Sequence, residues 1–286
     1  MWGTVLKRDL LGETREEDKF HSKEQLQEYL RSEIERQGES VVIEGRYFAD
    51  ADSIDDLSLL FYKIADGVKS FDLSGWTITG NVKNMSYMFY KCSSLESLEL
   101  PLWNTTNVED MFSMFYGCTN LKSLDLTSFD TSKVKYMSGM FAYCENLEKL
   151  DLSGWNTSNV ENMSGMFAHC ENLKELDLPI PVNVKNLSYM FYKCSNLESL
   201  ELSLWNTTNV KDMFSMFYGC TNLKSLDLTS FDTSNVKHMS LMFANCEKLK
   251  SLNLSGWNTS NVKDMIGIFD SCPALYKVVD NQIIKK

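Results

Sequence analysis

One unit recurs along this chain, and its period limits the fold more than any other feature. A Met-Phe pair returns with Phe at 89, 115, 141, 167, 191, 217 and 243, and Ile268-Phe269 closes the series. The step is 26 residues, except for 24 between Phe167 and Phe191. A fixed period of this size marks a solenoid, in which no unit buries its apolar side alone and stacking supplies the core.

Each position in the unit has a role. With Phe at zero, Val stands at −7, Met mostly at −4 and −1, and Cys at +3 in all eight copies. Those positions share one face of an α-helix, so the half around Phe is expected to be an amphipathic helix of about three turns. Ser158 and Thr106 stand three residues before Glu161 and Glu109, the capping-box spacing, and Gly117 and Gly219 suit a helix end. Leu at +6, +9 and +11, as in Leu173, Leu176 and Leu178, then alternates with polar residues in the manner of a strand. A turn with an aromatic residue follows (Trp103, Phe129, Trp155, Trp205, Phe231, Trp257). Helix axes pack about 8–10 Å apart and strands about 4.8 Å, so the expected fold is a curved α/β solenoid of about nine units. A parallel sheet would line its concave face and short helices its convex face.

The run Leu-Asp-Leu-Ser-Gly-Trp-Asn-Thr-Ser-Asn-Val at 150–160, followed by Met-x-x-Met-Phe-x-x-Cys-x-x-Leu, resembles the BspA-like bacterial leucine-rich repeats. The likeness spans residues 70–279. It implies a horseshoe that binds proteins, with surface adhesion known among its members, and it carries over no catalytic residue.

Around the repeats, residues 1–58 are expected to form an N-terminal α/β cap. Ser22-Lys23-Glu24-Gln25 opens a helix over about 22–37 with Gly38 as its stop, and Val41-Val42-Ile43 begins a strand over about 41–44. The repeats run over 59–272. Phe61 belongs to a degenerate first unit in which Ile64 replaces Cys. Residues 273–286 lose the pattern and suit a C-terminal cap. Residues 87–167 closely match 189–269, a four-unit duplication at offset 102, with Leu178-Pro179-Ile180-Pro181-Val182 as its seam. Between the copies Glu109 becomes Lys211, Asp151 becomes Asn253 and Glu161 becomes Lys263.

Charge and motifs narrow the function. Net charge is −11, and residues 1–60 hold 15 acids against 8 bases. Every base after residue 60 is Lys, which argues against bidentate phosphate recognition and direct nucleic-acid binding. The eight Cys share one inward phase and are expected to be buried free thiols rather than disulfides or metal ligands. His21, His169 and His238 fall in unrelated phases, with no nucleophile motif or phosphate loop, so no enzyme and no cofactor are expected. The sequons at Asn104, Asn156, Asn206 and Asn258 read as turn chemistry of the repeat. Met1 to Asp9 lacks an apolar segment of secretory type, and no stretch reaches the length of a membrane span. The expectation is a cytoplasmic protein that does not engage membranes, or a surface protein whose signal has been removed.

Two faces are candidates for binding. Position +10, between two inward leucines, holds Glu99, Asp125, Asp151, Asp177, Glu201 and Asp227, and Asp72 precedes them in the degenerate unit, a row of carboxylates along the sheet. Asp is a poor strand residue, so its repeated use there asks for a reason. On the helical side, position +1 holds Tyr90, Tyr116, Tyr192 and Tyr218, with Tyr87 and Tyr189 close by. Clustered aromatics serve as interface anchors or pack against one another between units. The expected function is a non-catalytic scaffold whose acidic face engages a basic protein. One form would be an inhibitor from a phage or mobile element that blocks a nucleic-acid-handling enzyme. The alternative is a surface adhesin.

Overall fold

The computed structural model describes residues 19–43, 48–49, 54–76, 78, 80–100, 103–178, 182–273, 276–279 and 282–285. The seam residues Pro179 to Pro181 lie outside them. The chain opens with β1 (Lys19–Phe20), helix α1 (Lys23–Gln37), β2 (Ser40–Val42) and β3 (Phe48–Ala49). The Ser22 hydroxyl accepts the Gln25 amide at 3.2 Å, and Gly38 ends α1 at φ 77°, its amide donating to Ile34 O at 2.8 Å. Leu26 and Leu30 bury the inner face of α1. Two of its side chains reach the first coil: Gln27 Nε2 donates to Leu60 O at 3.2 Å, and Lys23 Nζ to Ser58 Oγ at 3.2 Å.

The repeats stack as a parallel solenoid. β2 pairs with β4 (Ser70–Asp72), and β4 with β5 (Ser97–Glu99). β6 (Lys149–Asp151) pairs with β7 (Glu175–Asp177), and β8 (Ser225–Asp227) with β9 (Ser251–Asn253). All are parallel and in register. Residues 123–125 and 199–201 hold the same phase without strand pairing, so the ladder comes in three sections rather than one sheet. After the last coil, β10 (Tyr276–Val279) and β11 (Gln282–Lys285) form an antiparallel hairpin, with the Tyr276 ring 6.2 Å from Phe269.

The segment around each Phe is not a helix, which corrects the expectation for that half of the unit. Among the described residues α1 is the one α-helix. Positions −2 and +2 take left-handed backbone in every coil, for example Tyr87 (φ 58°), Lys91 (58°), Gly139 (61°) and Tyr143 (60°). That conformation interrupts an α-helix. Alternate amides instead donate to the following coil: Met85 N to Asp110 O, Tyr87 N to Phe112 O and Phe89 N to Met114 O, each at 2.9 Å. The amides between close three-residue turns, such as Tyr90 N to Tyr87 O at 3.0 Å and Cys92 N to Phe89 O at 3.1 Å. The i, i+3 spacing that suggests a helix belongs equally to consecutive β-turns.

The helix-end and helix-start signals have other uses. Ser158 N donates to Asn156 Oδ1 at 3.0 Å, and Glu161 forms an ion pair with Lys185 at 2.8 Å. Parallel bridges link Asp56, Asn84, Asp110, Tyr136, Asn162, Asn186, Asp212, His238 and Asp264 in turn. Both sides of the stack are thus held at ladder spacing, about 4.8 Å. Among the described residues no row of helices spaces the coils on that side.

Three ladders run through the interior and a fourth, of Asn, runs along its partly exposed edge. Phe61, Phe89, Phe115, Phe141, Phe167, Phe191, Phe217, Phe243 and Phe269 stack ring on ring, with centroids 4.6–5.8 Å apart. The shorter 24-residue step leaves the stack intact, since Phe167 and Phe191 are 5.8 Å apart and within 5° of parallel. Cys thiols donate to the Phe carbonyl of the preceding coil, as Cys144 Sγ does to Phe115 O at 3.2 Å. Buried Thr131 donates to Asn156 O at 3.0 Å and accepts the Asn156 amide at 2.9 Å, joining two coils through one hydroxyl. Asn146, Asn172, Asn196 and Asn222 each donate to the amide oxygen of the Asn one coil earlier, at 3.1–3.2 Å.

Candidate partner-binding faces

The strand face carries the carboxylate row. Asp72 sits beside Glu99, Asp151 beside Asp177, and Asp227 beside Asn253, each pair in ladder register. Asp125 and Glu201 fall in the sections without strand pairing. A shallow cleft lined by Ser97, Leu98, Glu99, Ser123, Leu124 and Asp125 separates two members of the row. Asp72 is half-buried and the six acids from Glu99 to Asp227 are exposed. Lys149, the one base at the outward strand positions +8 and +10 among the described residues, is engaged by Glu175 at 2.6 Å.

These acids have a local task that the sequence reading did not assign. Asp151 Oδ1 accepts the Ser153 amide at 2.9 Å and its hydroxyl at 2.7 Å, and Asp125 holds Thr127 at 2.9 and 2.7 Å. Asp72, Glu201 and Asp227 accept the amides of Ser74, Ser203 and Thr229 at 2.8, 2.9 and 3.0 Å. This is an Asx-type turn that closes the strand, and it supplies the reason for a poor strand former at that place. Two further corners repeat it. Asn104, Asp130 and Asn156 bind the amides of Thr106, Ser132 and Ser158, and Asn84, Asp110 and Asn162 those of Ser86, Phe112 and Ser164. At Asp72, Asp125, Asp151, Glu201 and Asp227 the residue that ends the strand segment therefore combines a turn closure with a charge.

The same bonds keep the charge in place. The Thr127 hydroxyl and then its amide hold Asp125 below its ordinary pKa, and Ser153 does the same for Asp151 and Ser203 for Glu201. At Asp227 the Thr229 amide acts first and its hydroxyl second. Bonds to the ionised form outweigh desolvation at all four, and at Glu201 they outweigh the repulsion of Asp227 as well.

The turn face carries the aromatic row. Tyr62, Tyr90, Tyr116, Tyr143, His169, Tyr192 and Tyr218 follow one another with centroids 4.3–5.5 Å apart. Where +1 is Ala142 or Ala168, the ring comes from +2, as Tyr143 or His169. His169 is half-buried between Tyr143 and Tyr192. Tyr87 and Tyr189 meet Tyr90 and Tyr192 edge-on, and Tyr189 is exposed. The rings pack mainly on one another between coils.

The remaining groups are structural. All eight Cys are buried and none is in a disulfide, and burial pushes the thiols of Cys92, Cys144 and Cys220 up to about 12. Among the described residues no group of three His, Cys, Asp or Glu is placed to hold a metal ion, and no helix is long and apolar enough to cross a membrane.

The family model described as "Mycoplasma protein of unknown function, DUF285" matches residues 55–179 and again 177–282. No curated protein matches the chain. Among known structures, the chain is similar to an internalin of Listeria monocytogenes, at 16% identity over 87% of this chain and 67% of that one, with TM-score 0.34. It is also similar to a leucine-rich repeat protein of Eubacterium ventriosum, at 13% identity over 86% and 95% of the two chains, with TM-score 0.30.

Proposed function

The chain belongs to the DUF285 family, whose description assigns no function, and from that premise we propose that it is a non-catalytic scaffold that binds a basic protein through its strand face. One observation carries this reading. Glu99, Asp125, Asp151, Asp177, Glu201 and Asp227 are all exposed on one face, and Lys149 among them is already engaged by Glu175. In Asp125 and Asp151 one carboxylate oxygen closes the turn, which leaves the second free to face a partner. Rows of like charge speed encounter with an oppositely charged surface and make it salt-sensitive. A partner that handles nucleic acid, presenting a Lys- or Arg-lined groove, is the specific class this face suits, and blocking such a groove would make the protein an inhibitor.

The repeat also resembles BspA-like sequences, and a surface adhesin is the second reading. The aromatic row, with Tyr189 exposed at its edge, would be its contact. One experiment separates the two. Glu99→Gln, Asp125→Asn and Asp151→Asn combined remove three charges and, at 125 and 151, keep the turn acceptors, as Asn253 does at the same position by accepting the Ser255 amide at 3.2 Å. Binding to poly-lysine, and to any partner captured from the host lysate, should weaken with a flatter salt dependence. Unchanged binding at low salt would refute the acidic-face reading, and loss of partner binding on Tyr189→Ala instead would support adhesion.

A further inference from the structure

Position −6 forms a row of its own on the turn side: Lys83, Glu109, Lys135, Glu161, Lys185, Lys211, Lys237, Lys263. In the first half the signs alternate, and the coils are joined by ion pairs, Lys135 to Glu109 at 2.7 Å and Lys185 to Glu161 at 2.8 Å. In the second half the alternation stops. The duplication places Lys211 where Glu109 stood and Lys263 where Glu161 stood. Backbone bonds stack these lysines directly, from Lys211 N to Lys185 O, Lys237 N to Lys211 O and Lys263 N to Lys237 O, each 2.8 Å. None of Lys211, Lys237 and Lys263 forms an ion pair among the described residues. Lys211 and Lys263 are exposed and Lys237 is partly so. The acids in the next position, Asp212 and Asp264, turn an oxygen to their own backbone, accepting the amides of Phe214 at 2.9 Å and Ile266 at 3.1 Å. A scaffold that pairs this row in one half leaves it unneutralised in the other.

We propose that Lys211, Lys237 and Lys263 form a second binding face, and that its occupant is the acidic strand face of another copy of this chain. This rests on the reading of the acidic row as a binding surface and names one partner for it. The lysines repeat once per coil, at about 4.8 Å. An extended acidic peptide brings side chains to one side only every second residue, about 6.6–6.8 Å apart. The row Asp125, Asp151, Asp177 also repeats once per coil and has the opposite sign. The net charge of −11 opposes association at long range. The Debye length of about 10 Å at 0.1 M salt screens that repulsion while sparing contacts at a few ångströms. Because the two faces are different surfaces, each copy in a pair keeps one unused, and association is open-ended rather than closed.

The test is sedimentation of the full chain over a range of protein and salt concentrations. The parent should associate in a concentration-dependent way that high salt reverses. Lys211→Glu with Lys263→Glu recreates the alternating row of the first half, so it should fold, and it should stay monomeric. Glu99→Gln with Asp125→Asn and Asp151→Asn should also stay monomeric. Mixed together, the two variants should form a one-to-one complex, since each supplies the face the other lacks. A parent that is monomeric at every concentration, a lysine variant that associates like the parent, or a mixture that does not pair would overturn the proposal. Poly-lysine binding tells the two failures apart. If the parent is monomeric but still binds poly-lysine through the acidic row, only the self-association fails. If the acidic-row variant binds poly-lysine as the parent does, the underlying reading fails as well.

Discussion

Asp151 holds Ser153 twice, through its amide at 2.9 Å and its hydroxyl at 2.7 Å, and both bonds end on the same carboxylate oxygen. The residue at this corner must accept hydrogen bonds, whereas its charge is a separate property. Asp151→Asn should therefore keep the folding midpoint near that of the parent, and Asp151→Ala should lower it. Urea melts of the two variants check the order; equal losses would mean that the turn contributes nothing.

The same bonds set an acid limb. Asp125, Asp151, Glu201 and Asp227 have folded pKa values below their ordinary ones, each led by a hydrogen bond from the Ser or Thr two residues on. A depressed carboxylate stabilises the fold above the unfolded pKa, near 4, and that contribution is lost as pH falls through the lower folded value. Stability should decline below about pH 4, and the decline should be shallower when the four are changed to Asn or Gln. Urea midpoints between pH 6 and pH 2.5 would show it.

The thiols should be inert. Native protein should react slowly with thiol reagents and show eight groups only after denaturation, since all eight are buried and three are pushed up to about 12. Cys144→Ser should cost about 1–3 kcal/mol, because the shorter C–O bond draws the buried hydroxyl back from the Phe115 carbonyl that the thiol meets at 3.2 Å and leaves it poorly satisfied. Fast native labelling would contradict the packing.

The ring stack should tolerate a missing coil better than a missing ring. Phe141 is fully buried between Phe115 and Phe167, at 5.7 and 5.6 Å. Phe141→Ala should cost about 3–5 kcal/mol. Excising a whole 26-residue unit inside one half brings equivalent coils together and should leave a cooperative fold with a smaller denaturant slope.

Much of this was legible in the sequence. The period placed every inward residue, from Val134 and Met137 to Cys144 and Leu147, all of which are fully buried. The helix was misread because turns closed by i, i+3 bonds bury the same positions as a helix does. Gly139, Gly165 and Gly267 at −2, and Gly117 and Gly219 at +2, were the signal against it. Glycine weakens a helix interior, and here it marks left-handed backbone at both places. The carboxylate row was legible as a row, but its turn-closing role was not. A hydrogen bond to the amide two residues on leaves no mark distinct from a polar face, unless Asn253 is noticed replacing Asp at equal spacing. What contacts the row depends on another molecule, and composition gives only its sign.

The stitching around each Phe gives the stack a direction. Amides at −4, −2, 0 and +2 reach forward, so in this segment every coil offers donors to the next and acceptors to the one before, whereas at −6 donation runs back, as from Lys211 N to Lys185 O. The first coil consequently begins with carbonyls that no earlier coil can serve, and Gln27 of α1 answers one of them, at Leu60. The last coil has the opposite need, for acceptors. A lid built for one end is chemically wrong for the other, so the array behaves as an arrow rather than a rod. Such an arrow lengthens without new chemistry only from within, and the 102-residue duplication is an enlargement of that kind.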